Sequence, residues 1–122
     1  MTCGISLSLA VLVMLAAPAF AQGQCSAPIA PVMPDGKTVT LARLNQAAKN
    51  AVAFIKASDN YQVCILDDIA AQDQQAKNSK KALDPAIRKA LENKGDANQK
   101  EKERIGKEYN VASAAYKVVH PK

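Results

Sequence analysis

From Lys37 to Asp84 the chain contains neither proline nor glycine, and within that span apolar and small residues return every three or four positions. Leu44, Ala48, Ala51, Ile55, Ser58, Gln62, Ile65 and Ile69 follow this spacing, which lines one face of an α-helix and offers a seam to a second helix. Phe54, Ala57, Tyr61 and Cys64 form another stripe beside it, so the pattern predicts a helix covered from two directions. Thr38 or Thr40 is the expected N-cap, because a hydroxyl can accept a bond from an unpaired first-turn amide. Ser58-Asp59-Asn60 is the expected weak point, since all three side chains compete for backbone bonds. A break there would leave two shorter helices.

Asp84-Pro85 restarts the helical pattern, with a capping carboxylate followed by a proline whose missing N–H would be unpaired anyway. Beyond it, Ile87, Leu91, Ile105, Tyr109, Ala112, Tyr116 and Val119 lie on a compatible seam. Gly95-Asp96 is an expected interruption and Pro121 an expected stop. The expected fold class is therefore all-α, a helical hairpin of two long antiparallel helices over residues 38–122. The chain has no Trp, and after its first residues it is rich in Ala, Lys, Gln and Asn, so its core is expected to be thin. A hairpin buries one stripe per helix, and a second copy of the chain, as a homodimeric four-helix bundle, is one way to complete it.

Residues 22–37 read differently. Pro28, Pro31 and Pro34 stand three apart, which favours an extended polyproline arm and excludes helix, and Pro34-Asp35-Gly36 makes a turn. Ahead of the arm, residues 1–21 carry an apolar run from Ile5 to Phe20 that ends with Ala19 and Ala21 placed as in a signal-peptidase site. The run is shorter than the roughly 20 apolar residues of a membrane span. The expectation is cleavage near Ala21, release into the periplasm or beyond, and no transmembrane segment afterwards.

Cleavage removes Cys3 and leaves Cys25 and Cys64, a pair that suits a disulfide in an oxidising compartment. If the first helix starts near Thr40, Cys64 lies about 36 Å along it at ~1.5 Å per residue. The arm can reach about 46 Å at ~3.1 Å per residue, so it can run back antiparallel along the Phe54, Tyr61, Cys64 stripe and lay Ile29, Val32 and Met33 on it. Closing a loop of that size restricts the unfolded chain by roughly 4 kcal/mol on the entropy model. The two cysteines lack the close spacing of zinc ligands, and no metal or other cofactor is expected.

Charge is uneven. Residues 77–107 hold ten basic residues, Lys77, Lys80, Lys81, Arg88, Lys89, Lys94, Lys100, Lys102, Arg104 and Lys107, against five acids. This segment is a candidate contact for anionic lipid or polysaccharide, although Asp96 with Lys100, and Glu103 with Lys107, are spaced to pair along a solvated helix. Nucleic acid is not an expected partner, because aromatic residues for stacking are few. Asp67 and Asp68 are neighbours that point about 100° apart on a helix, which suits shared acid–base work badly. His120, the single histidine, reads as part of a frayed tail. Asn98-Gln99, Tyr109-Asn110 and Asp59-Asn60-Tyr61 place polar groups beside the seam, where interhelical hydrogen bonds fix register.

Cys25 and Pro28, then Pro34-Asp35-Gly36, then Tyr61 and Cys64, then Asn98 and Gln99 with Glu101 and Lys102, and finally Tyr109-Asn110 form a pattern across the chain. It resembles a group of small uncharacterised helical proteins exported by Gram-negative bacteria. The resemblance implies a periplasmic helical protein and brings no active site with it. Together these readings lead to a non-enzymatic protein acting through contacts of its helical surface with an envelope protein or with itself, followed by anionic-surface binding, with an enzyme of unrecognised site ranked last.

Overall fold

The structure is a computed structural model that describes residues 25–122; the expected leader 1–21 and residues 22–24 lie outside them. Two helices account for most of this length, α1 over Leu41–Asn78 and α2 over Pro85–Val119, and they pack against each other. α1 begins where Thr40 accepts the Arg43 amide at 3.3 Å. α2 begins where Asp84 accepts the Ala86 amide at 2.8 Å, with Pro85 in the first position. At ~1.5 Å per residue the 38 residues of α1 make a rod about 57 Å long.

The core is built in layers seven residues apart. Leu44 meets Ala112, Ala51 and Phe54 meet Ile105, Ser58 meets Asn98, and Ile65 meets Leu91. Each step of seven down α1 is matched by seven back along α2, the register of an antiparallel coiled coil. Ala47, Phe54 and Tyr61 are buried, whereas the expected seam residues Ala48, Ile55 and Gln62 are half-buried. The centre of the α1 contact is thus turned toward the second predicted stripe, because α2 and the arm cover that side together. Ile87 and Val119, expected on the α2 seam, are exposed, since they lie beyond the outermost layers.

Neither helix breaks. Ser58 is 0% exposed and its hydroxyl accepts from Asn98 Nδ2 at 3.1 Å, while Asp59 pairs with Lys102 across the hairpin. Tertiary partners therefore hold the side chains that would otherwise compete with the backbone. Gly95 and Gly106 sit within α2 facing open space. α1 stops at Asn78. The Lys80 N–H bonds the Lys77 carbonyl at 2.9 Å and the Lys81 N–H that of Ala76 at 2.8 Å, a Schellman ending. Lys80 takes φ 54°, a left-handed conformation that glycine adopts freely and that costs a side-chain-bearing residue about 1–2 kcal/mol.

The arm is bonded to α1 through Cys25–Cys64, with Cα atoms 5.7 Å apart. It rests in the groove between both helices and not along α1 alone. Cys25 packs against the Tyr61, Ile65, Ile69, Leu91 cluster, and Ala30 and Met33 against Ala51, Phe54 and Ile105. Ile29 and Val32, expected on the helix, are 94% and 93% exposed. A polyproline strand repeats every three residues, so Ile29 and Val32 share one face, and that face is turned to solvent. The arm closes at Asp35, whose carbonyl accepts from Thr38 N–H at 3.2 Å and Val39 N–H at 3.0 Å. Gly36 lies so close to α2 that a Cβ there would stand 1.9 Å from the Ala112 carbonyl oxygen.

Candidate functional site

Polar side chains that the fold gathers are used chiefly to join the two helices. Gln62 Nε2 donates to Asn98 Oδ1 at 3.0 Å and to Gln99 Oε1 at 3.2 Å, and Asn98 donates to Ser58. This small network spans the middle layer from core to surface, the register role expected for Asn98-Gln99. Tyr109 packs on the Val39, Leu44, Ala112 cluster, while Asn60 and Asn110 are exposed. Asp68 accepts from Gln72 at 3.0 Å and Asp67 is exposed. His120 is exposed at the end of α2, where its ring stacks on Tyr116 with centroids 4.1 Å apart and its N–H bonds the Tyr116 carbonyl at 3.0 Å.

The ten basic residues of 77–107 divide into two sets. Arg88 pairs with Asp73, Lys102 with Asp59, and Arg104 with Glu101 and Glu108. The carboxylate of Asp73, by hydrogen bond and charge, raises the Arg88 pKa. The hydrogen bonds that Arg104 donates to Glu101 and Glu108 hold it well above its ordinary range. The Arg104 hydrogen bond lowers the Glu101 carboxyl below its ordinary value, against a smaller opposing effect of burial. Neither Asp96–Lys100 nor Glu103–Lys107 is formed; Arg104 takes the neighbouring acids, and Glu103 accepts from Gln99 at 2.9 Å. Lys77, Lys80, Lys81, Lys89, Lys94, Lys100 and Lys107 make no ion pair among the described residues. Lys94 lies beside the arm, lining a cleft of about 270 Å³ with Pro28, Phe54, Tyr61 and Glu101.

Among the described residues, two surfaces besides the Ile29, Val32 face of the arm are left open by the fold. On α1, Leu41, Val52, Val63 and Leu66 are each more than half exposed. The first three stand eleven residues apart, three helical turns, so they fall on nearly one line along the rod. This line escaped sequence reasoning, because each member sits alone among polar residues and only the interval of eleven connects them. The other surface is the hairpin tip, where Lys77, Lys80 and Lys81 are exposed. A cleft of about 680 Å³ between the Met33–Lys37 turn and α2 is lined by Arg104, Lys107 and Val111.

Among the described residues no three His, Cys, Asp or Glu side chains gather as a metal site, and no helix is long and apolar enough to cross a membrane. Comparison with protein-family models, curated proteins and solved structures found no match.

Proposed function

We propose that this protein is a non-enzymatic binding module of the periplasm, exported by cleavage near Ala21, whose partner protein docks along α1. The observation that carries this reading is the line Leu41, Val52, Val63 with Leu66, apolar side chains more than half exposed on a rigid helix. Isolated exposed apolar residues are ordinary, but an aligned series is the form in which one helix offers anchors to another. The stapled arm supports the same reading. It covers one side of the hairpin and leaves the α1 line open, and a Cys25–Cys64 bond persists in an oxidising compartment.

A photo-crosslinking residue at Val52 or Val63, with Asn93 as an exposed control on α2, tests the proposal in intact cells of the native host. One recurrent protein captured from positions 52 and 63 and absent at 93 is the expected result. If that protein is a second copy of this chain, the module is a homodimer. Equal capture at all three positions, or none at any, would overturn the proposal.

A further inference from the structure

Unpaired positive charge is densest where the chain reverses direction, with three lysines in residues 77–81, against Lys37, Arg43, Lys49 and Lys56 spread over the acid-free residues 36–58. Between Asp73 and Asp84 the sequence holds no acid, and both of these carboxylates are engaged, Asp73 with Arg88 and Asp84 with the Ala86 amide. Lys77, Lys80 and Lys81 occupy that gap. All three are exposed and none forms an ion pair among the described residues.

The backbone adds an independent observation. Lys80 stands at φ 54° in the left-handed position of the helix ending, where glycine is the low-cost residue. A lysine there lowers stability and sets an ammonium at the apex of the hairpin. When a residue breaks a local rule without a structural gain, function is the place to seek the compensation. Among the described residues no side chain bonds to that of Lys80, so packing there supplies no such gain.

Shape then selects among anionic partners. The last core layers are Ile69 and Leu91, so the tip extends beyond the packed part of the rod. Within Asp73–Asp84 the apolar residues are only Ala76, Ala82 and Leu83, too little to insert into hydrocarbon. Along the length of the rod the unpaired cations stand five to seven residues apart, Lys37, Arg43, Lys49 and Lys56 on the turn and α1 and Lys89, Lys94, Lys100 and Lys107 on α2, while Arg104 is held by Glu101 and Glu108. A partner that must engage several closely spaced charges at once finds them at the bend and not along the sides. Three exposed ammonium groups within five residues match the closely spaced phosphates of a headgroup plane.

We propose that the hairpin tip is an electrostatic docking point for an anionic phospholipid surface, with Lys77, Lys80 and Lys81 on headgroup phosphates and the rod standing end-on. Contact is at the surface only, and it falls away with salt because exposed charges are screened. It does not involve the α1 line, so tip variants leave crosslinking at Val52 and Val63 unchanged.

The test uses residues 22–122, since an uncleaved apolar leader would itself enter vesicles, with phosphatidylcholine vesicles that contain or lack phosphatidylglycerol. Cosedimentation only with the anionic vesicles is expected. Each lysine near the surface is worth about fivefold in affinity, so Lys77→Gln with Lys80→Gln and Lys81→Gln weakens binding roughly a hundredfold by that scale. Lys100→Gln with Lys107→Gln leaves it nearly unchanged. Lys80→Gly separates function from folding: it melts higher than the parent and binds about fivefold more weakly. Equal binding to neutral vesicles, or Lys80→Gly binding as tightly as the parent, overturns the proposal. So does a side-lysine variant as impaired as the tip variant, or dextran sulfate preferred over vesicles by parent and tip variant alike.

Discussion

Replacing glycine by alanine at three positions in this chain gives changes of opposite sign. At Gly36 the added Cβ stands 1.9 Å from the Ala112 oxygen, 2.7 Å from its carbonyl carbon and 2.9 Å from its Cα. All three are backbone atoms of α2, so no side chain can swing aside. A carbon approaches a carbonyl oxygen to about 3.3 Å at closest, which forces the turn outward by roughly 1.4 Å. Val39, held to the same turn by its bond to the Asp35 carbonyl at 3.0 Å, is drawn from its place against Leu44 and Ala112. Overpacking costs about 1–3 kcal/mol, and a fully buried valine contributes about 1.5–3 kcal/mol, part of which is lost. The expected penalty is about 3 kcal/mol, a fall in Tm of roughly 12–24 °C for a domain of this size. Gly95 and Gly106 meet nothing within 4 Å, so alanine there gains helix propensity without a clash and stabilises by about 1 kcal/mol each. Thermal unfolding followed by far-UV circular dichroism on the oxidised proteins reads all three. Gly36→Ala melting within about 3 °C of the parent, where the calculation requires at least fourfold more, would refute the close packing of the turn on α2.

Three further outcomes follow from other contacts. Cys25→Ser with Cys64→Ser, or thiol reduction of the parent, opens a loop of sequence separation 39 and lowers stability by about 4 kcal/mol on the entropy model; a denaturant midpoint unmoved by reduction argues against the staple. Ser58→Ala, Asn98→Ala and the double variant form a cycle whose coupling is expected near 1 kcal/mol, the net value of one hydrogen bond, and additive single effects exclude the contact. Glu101 has a depressed folded pKa because Arg104 donates to it. Its small contribution is therefore present above the unfolded carboxylate pKa and disappears as pH falls through the lower folded value. NMR titration of the Glu101 carboxyl should move upward in Arg104→Gln, and an unshifted curve denies the interaction.

Both helix starts were legible because caps are local: Thr40 and Asp84 act on amides within three residues of themselves. The antiparallel pairing and the Cys25–Cys64 bond were legible from spacing and reach. The rotation of the α1 seam toward Phe54 and Tyr61 was not, since it depends on a third element in the groove. The continuity of α1 through Ser58-Asp59-Asn60 was equally hidden, because Asn98 and Lys102, its partners, lie about 40 residues away in sequence. Apolar character alone places Ile29 and Val32 inward. The three-residue repeat set by the prolines places them together and outward. For the basic segment, composition counted ten charges, and only side-chain geometry separates those that tie the helices together from those at the tip.

The seven-residue layering restricts how this hairpin can change in length. One residue inserted in α1 alone would rotate everything beyond it by about 100° and set Ser58 against a partner other than Asn98. Excising one layer from each helix at once, seven residues on either side of the bend, returns every surviving pair to its original mate. Length in this molecule is therefore quantised: chains built on the same plan should differ by matched heptads, with the tip carried nearer to or farther from the staple in steps of about 10 Å.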